Sequence, residues 1–376
     1  MTPRTIVLSA NSDWNIANFR QGLIRGLCSA GYEPVVIAPE DPAANRRMQE
    51  LGVERIPIHI DRAGLNPVAD LGLLLKYRSL LQRLGPAAYI SYTIKPNIYG
   101  SFAAASLGIP ALPNVSGLGT AFIQGGGLQA LVTRLYRVGF ARAPVVFFQN
   151  QEDSDLFVSR RIVRSGQARV LPGSGVDLEY FAPMALPEGT PAFLFIGRLL
   201  RDKGVVEFVE AARTLRSVLP GARFQLLGGL DEGNRTGIRA NELASWVCEG
   251  VIEHLGTTDD VRPFIAGATA VVLPSYREGL PRSLLEAAAM ARPLIASDVP
   301  GCRDVVNDGV DGLLCTVRDA AALADSMRRL AHLPRAQQIA MGEAGRRKVQ
   351  ERFSEAFVVQ AYLDVLAGLG AAKPGS

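Results

Sequence analysis

The chain has 376 residues, 48% of them apolar and 20% charged, with a formal net charge of +4; this length suits two domains and this composition excludes a disordered chain. So mild a charge does not require a nucleic-acid partner, although it suits an anionic ligand or an anionic membrane surface. Cys28, Cys248, Cys302 and Cys315 form no CxxC pair and only three histidines occur, so a reduced, cytoplasmic protein is expected, with neither a disulfide framework nor a metal site.

Thr5 to Leu8 is a short apolar run that meets Asn11, Ser12 and Asp13, the pattern of a first strand rather than a signal peptide. No run of 18 or more apolar residues occurs, so no spanning helix is expected. Apolar runs then recur at Ile6 to Leu8, Pro34 to Ala38, Ala87 to Tyr92, Ala111 to Val115 and Val145 to Phe148, with helical patterns near 16–30, 66–84, 96–107 and 128–142. Near-continuous apolar strands alternating with helices predict a parallel sheet covered on both faces. The pattern pauses at Leu171 to Asp177 and through a Pro-rich stretch, Pro183 to Pro191, which reads as an interdomain connection.

A second alternation follows, with strands at Ala192 to Ile196, Arg223 to Leu227, Val251 to Leu255, Ala270 to Leu273 and Leu294 to Ser297. The fold class is therefore α/β, with two Rossmann-like, doubly wound domains: an N-terminal one over 1–172 and a C-terminal one over 173–353. Residues 354–376 supply a tail helix, Ser354 to Leu366, and a frayed end. Such sheets bind ligands beyond their strand C-termini, so a cleft between the domains is the expected site. Neither GxGxxG after a strand nor GxxxxGK[ST] is present, which argues against a dehydrogenase and a P-loop enzyme.

The most informative stretch is Glu278-Gly279-Leu280-Pro281-Arg282-Ser283-Leu284-Leu285-Glu286. It follows an apolar strand, turns through Gly279, Leu280 and Pro281, and opens an Ala-rich helix, which aims backbone N–H groups at an anion. Glu286 is a good helix former, but its neighbours are Leu and Ala, and a carboxylate there is costly unless paired or used. Gly197 to Gly204 follows the first strand of the second half and carries Arg198 and Lys203. Alone they read as solvated surface cations. Beside Glu278 and Glu286, from another strand end of the same sheet, they offer a forked guanidinium and a point charge to a diphosphate. Phosphates, hydroxyls and paired acids together describe a nucleotide sugar. Thr258 lies in the loop from His254 to Asp260, whose backbone suits a nucleobase edge, although Asp259 or Asp260 also suits a helix N-cap.

In the first half, three loops meet one rim of the sheet: Ser12 to Asn15, Thr93 to Asn97, and Asn114 to Thr120. Asn15 is assigned to the donor; Lys95, Ser116, Gly117 and Thr120 are assigned to the acceptor. Lys95 suits an acceptor phosphate and equally a plain turn. Leu71 to Leu84, Leu128 to Arg142 and Leu156 to Arg169 read as helices with bases among leucines and aromatics, which fits an anionic bilayer surface or a solvated outer face.

Taken together, these residues resemble the GT-B glycosyltransferases of the retaining family 4. The resemblance spans the chain and is strongest over Gly197 to Gly204, Glu278 to Glu286, Asp298 to Val306 and Asp308 to Leu314. It implies that Arg198 and Lys203 hold the donor diphosphate, that Glu278 contacts the sugar and Glu286 the ribose, and that Gly279 and Leu280 add N–H donors. It also implies that the tail helix crosses back to the N-terminal domain. Thr93 to Gly100 and Asn114 to Phe122 resemble transferases that extend lipid-diphosphate-linked saccharides, such as bacterial enzymes adding N-acetylgalactosamine to an undecaprenyl-diphosphate sugar. Many members carry a His where this chain has Ser116, so the resemblance brings no His-led base mechanism with it.

The expected reaction is transfer of a hexose or N-acetylhexosamine from a nucleotide-diphosphate donor, UDP-linked by preference, with retention at the anomeric carbon. Arg198, Lys203, Glu278 and the helix start near Pro281 are the expected catalytic elements. No cofactor or metal is expected, since no DxD stands at a suitable strand end. The expected location is cytoplasmic, with peripheral attachment to the cytoplasmic face of the inner membrane as its companion. Two rivals are a UDP-N-acetylhexosamine 2-epimerase and a non-catalytic nucleotide-sugar-binding protein.

Overall fold

The first half of the chain builds a seven-stranded sheet from β1 (Arg4–Ser9), β2 (Tyr32–Ala38), β3 (Glu54–Pro57), β4 (Ala88–Tyr92), β5 (Ala111–Val115), β6 (Val146–Phe148) and β7 (Ala168–Val170). Their order is β3-β2-β1-β4-β5-β6-β7, and neighbours pair in parallel, with Val7 opposite both Val35 and Tyr89. The computed structural model describes residues 4–61, 66–117 and 126–371. Alternation along β1 divides the packing: Val7 joins Val35, Ile37, Leu73 and Tyr77 on one face, while Ile6 and Leu8 join Ile16, Leu23 and Val36 on the other.

The second half builds a six-stranded sheet from β8 (Ala192–Ile196), β9 (Arg223–Leu227), β10 (Glu253–His254), β11 (Ala270–Leu273), β12 (Leu294–Ser297) and β13 (Gly312–Cys315), in the order β10-β9-β8-β11-β12-β13. Its strands are also parallel. Phe193, Leu194 and Phe195 are wholly buried because helices cover both faces, as parallel sheets require.

The chain divides into two compact units, 1–174 with 355–376, and 175–354. The helix Glu355–Ala371 belongs to the first. It seats Val358, Tyr362, Val365 and Leu366 among Ile6, Leu8 and Ile90. The Tyr362 ring lies 4.6 Å from that of Phe147, tilted by 54°, and its hydroxyl accepts a hydrogen bond from Asn114 Nδ2 at 3.1 Å.

Four readings of the sequence need correction. The stretch 156–169 is not one basic helix: the helix Gln151–Ser159 ends at a turn where Arg161 takes φ +53, and Arg169 lies in β7. The pattern near 16–30 is two helices, Asp13–Phe19 and Gln21–Ser29, broken at Arg20, whose guanidinium lies 3.9 Å over the Tyr92 ring. Three strands, β3, β7 and β13, were not foreseen. The Pro-rich stretch 183–191 lies inside the second unit, not between units. Three arginines hold it and the residues just before it: Arg292 donates to the carbonyls of Met184 and Ala185, Arg335 to those of Leu186 and Pro187, and Arg346 to those of Leu178 and Phe181. Arg292 is fully buried among carbonyl acceptors, and burial draws its guanidinium down to about 10.

Candidate active site

The second unit gathers its polar groups at the C-terminal ends of its strands. β8 runs into Gly197 and Arg198, then a single 3-10 turn, Arg201–Lys203, then the helix Val205–Leu215. Gly204 joins turn to helix at φ +74, and a Cβ there would sit 2.1 Å from the carbonyl oxygen of Pro274. Only glycine fits such a position. The loop after β8 thereby lies against the loop after β11. Tyr276 N–H donates to the Asp202 carbonyl at 2.9 Å and Ser275 Oγ to the same oxygen at 3.2 Å. Held this way, Lys203 Nζ donates to Glu278 Oε1 at 2.5 Å, the two side chains being 26% and 11% exposed.

A further tie supports the same two loops. Tyr276 OH donates to Glu207 Oε1 at 2.6 Å, and the Arg318 guanidinium lies 4.4 Å from the Tyr276 ring centroid. Burial, then the hydrogen bond to Glu207, pushes the Tyr276 phenol up to about 12, so it remains a donor at neutral pH.

Past Glu278, the turn Gly279-Leu280-Pro281 enters the helix Arg282–Ala289. Leu280 anchors the turn by burying its side chain in the core. Gly301, at φ +78 in the loop after β12, presses on it: a Cβ there would lie 2.4 Å from Gly279 O and 2.8 Å from Glu278 O. Next to Gly301, the Cys302 thiol is pushed up by burial and then by the Glu278 charge. Glu286 lies between buried Leu285 and Ala287, and its Oε1 accepts from Arg282 Nε at 2.7 Å. The costly carboxylate is therefore paired.

Arg198 and Thr258 have partners other than Lys203 and Glu278. Arg198, 63% exposed, donates to Asp231 Oδ2 at 2.8 Å in the loop after β9. Thr258 Oγ1 closes a turn with Asp260, donating to its carbonyl at 3.0 Å and accepting its N–H at 3.1 Å. The ends of β8, β9 and β10 nonetheless meet. His254 Nε2 lies 3.0 Å from Gly228 O, and a Cβ on Gly228 would sit 1.8 Å from Gly197 O. A carbonyl only accepts, so that imidazole nitrogen carries the proton.

In the first unit, Asn15 takes an N-terminal position in the helix Asp13–Phe19, its N–H donating to Ser12 Oγ at 3.3 Å, and its own Oδ1 is buried without a partner. Lys95 is already paired: its Nζ donates to Asp70 Oδ1 at 2.7 Å, and Tyr99 OH donates to the other oxygen at 2.8 Å. Ser116 and Gly117 follow β5, half-buried. Thr120 lies outside the described residues. Sequence reasoning missed Asp70, Tyr276, Glu207 and Arg318, because their contacts join residues remote along the chain and no short motif contains them.

Residues 190–332 match the family described as Glycosyl transferases group 1, and residues 16–173 match the Glycosyl transferase 4-like domain. The chain belongs to the group 1, family 4-like glycosyltransferases. Among relatives of this glycosyltransferase, the N,N'-diacetylbacillosaminyl-diphospho-undecaprenol alpha-1,3-N-acetylgalactosaminyltransferase of Campylobacter jejuni is 28% identical over 84% of this chain and 86% of its own length. The UDP-Gal:alpha-D-GlcNAc-diphosphoundecaprenol alpha-1,3-galactosyltransferase of Escherichia coli is 24% identical over 70% of this chain and 71% of its own. The solved structure of Anabaena Alr3699/HepE in complex with UDP and glucose covers 97% of this chain and 100% of that one, with a TM-score of 0.80 at 16% identity. The fold is thus that of the GT-B glycosyltransferases, with two Rossmann-like units. Family membership makes the chain an enzyme and sets aside both the epimerase and the passive binder.

Proposed function

We propose that this glycosyltransferase moves a hexose or N-acetylhexosamine from a UDP-sugar to a saccharide on a lipid diphosphate, with retention and without a metal, at the cytoplasmic face of a membrane. The observation that carries the donor half is the Lys203–Glu278 pair at the entrance of the helix Arg282–Ala289, inside the unit that matches the group 1 family. An ammonium, a helix start without a side-chain cap and paired acids suit a diphosphate joined to a pentose and a hexose. The acceptor half draws on the two relatives named for undecaprenyl-diphosphate-linked substrates.

In this reading Lys203 and Arg198 neutralise charge on the departing diphosphate, with N–H groups of Gly279 and Leu280 aiding. Glu278 orients the hexose and Glu286 the ribose, and Thr258 and Asn15 are proposed as further donor contacts. The bond from the anomeric carbon to the diphosphate oxygen breaks while the acceptor hydroxyl bonds to that carbon on the same face, and its proton passes to the departing phosphate. Preorganised donors of this kind are worth roughly a hundred- to a thousandfold each in rate. Lys95, Ser116, Gly117 and Thr120 are proposed for the acceptor.

The test pairs UDP-, GDP- and ADP-sugars with a short-chain lipid-diphosphate saccharide in the presence of EDTA. Transfer from a UDP-sugar with the anomeric configuration kept, read by NMR, is the expected result. An inverted product, or turnover that needs added Mg²⁺ or Mn²⁺, overturns the mechanism.

A further inference from the structure

The helices Pro67–Leu84, Ser101–Ser106 and Gly126–Phe140 pack side by side. They cover the face of the first sheet that carries Val7, Tyr89, Val115 and Phe148, opposite the tail helix. Their outer surface is unusually apolar. Val68 is 80% exposed, Leu71 57%, Leu75 58%, Leu131 49% and Val138 50%, with Phe102 at 40% between the two longer helices. Val68, Leu71 and Leu75 follow helical spacing and form one stripe, flanked by Lys76 on one side and Arg78 on the other. Leu131 and Val138 form a second stripe around Arg134.

The charge on this surface has one sign. Lys76, Arg78, Arg83, Arg134, Arg137 and, just past the last helix, Arg142 are exposed. The only acid within the three helices is Asp70, which is buried and already bonded to Lys95 and Tyr99. An ordinary solvated face intersperses both signs and spares large aliphatic groups. Apolar stripes edged by bases and free of exposed acids match the boundary between anionic headgroups and acyl chains. Among the described residues no helix is long and apolar enough to cross a membrane.

We infer that this three-helix face docks the first unit on an anionic lipid bilayer, with Val68, Leu71, Leu75, Phe102, Leu131 and Val138 entering the headgroup boundary and the bases meeting lipid phosphates. The inference deepens the proposed lipid-linked acceptor by naming the surface that brings the enzyme to it, but its own warrant is the face itself. The first helix of this surface begins beside the Lys95–Asp70 pair, so docking sets the proposed acceptor residues next to the membrane.

The experiment is vesicle co-sedimentation of the full chain, with phosphatidylcholine alone and with phosphatidylglycerol added. Wild type is expected to bind the anionic vesicles, to ignore the neutral ones, and to be released by salt. The pairs Leu71→Glu with Leu75→Glu, and Arg134→Glu with Arg142→Glu, are each expected to weaken binding more than tenfold, since a base near the surface is worth about fivefold. Both keep wild-type circular dichroism and wild-type turnover on a water-soluble short-chain acceptor. Two pairs on different helices keep the test valid if one fails to fold. Wild-type vesicle binding in both pairs overturns the docking surface, as does a lipid-free dimer that Leu71→Glu with Leu75→Glu splits while vesicle binding stays unchanged. If vesicle binding behaves as expected and no lipid-diphosphate acceptor is turned over, the docking stands and the proposed acceptor fails.

Discussion

Lys203 and Glu278 are separated by 75 residues along the chain and by 2.5 Å in space. Each stands at the end of a different parallel strand, and the contact exists because Gly204 lets the β8 loop lie on the β11 loop. Lys203→Ala is expected to cut kcat/KM by roughly a hundred- to a thousandfold while circular dichroism stays that of the wild type. Glu278→Gln, which keeps the shape but not the charge, is expected to fall at least tenfold. Steady-state kinetics with donor varied check both, and values within threefold of wild type contradict the assignment.

The Tyr276–Glu207 hydrogen bond makes a separate prediction. Tyr276→Phe leaves a partly buried carboxylate short of a donor, and Glu207 Oε2 already lacks a partner. A hydrogen bond to a charged group is worth about 1.5–3 kcal/mol, so urea unfolding should show a loss of that size. Glu207→Gln with Tyr276→Phe should be less than additive. Strict additivity means the bond is not made in solution.

Gly301 tests how closely the β12 loop must approach the donor turn. Gly301→Ala places a methyl 2.4 Å from Gly279 O and keeps a positive φ. Strain of about 1–3 kcal/mol is expected, together with a displaced Gly279 N–H. The variant should therefore lose donor affinity in a thermal-shift titration with UDP, and unchanged affinity shows that the turn absorbs the methyl.

Acid stability should report the β9–β10 edge. The hydrogen bond from Arg223, ahead of its charge, holds the Glu253 carboxyl below the usual 4.5. A depressed acid stabilises the fold above its unfolded value, and that stability is lost as pH falls through the lower folded value. The side chains are 52% and 44% exposed, so solvent screening limits the contribution to about 1 kcal/mol or less. Glu253→Gln should be less stable than wild type at about pH 7, and the gap should close as the pH falls below the lowered folded value; a gap unchanged with pH rules out the pair as its source.

What the sequence made legible follows from where each strand sits. Interior strands such as β1, β8 and β12 are covered on both faces, so their apolar runs stand out. The three strands that went unread, β3, β7 and β13, all lie at sheet edges. β13 is buried and apolar but only four residues long; in β3 and β7 Glu54, Pro57, Arg169 and half-exposed Val170 dilute the signal, because an edge needs less burial and tolerates charge and proline. The same effect let 156–169 pass for a helix. In the site, Lys203, Glu278 and Glu286 were readable because each sits in a short local pattern. Asp70 was not, since its role beside Lys95 depends on a helix 25 residues upstream.

The first unit draws its core from both ends of the chain: Tyr362, Val365 and Leu366 complete a surface begun by Ile6 and Leu8. The helix Glu355–Ala371 follows the whole of the second unit along the chain, so the first unit's core lacks part of its cover until residues 358–366 have been made.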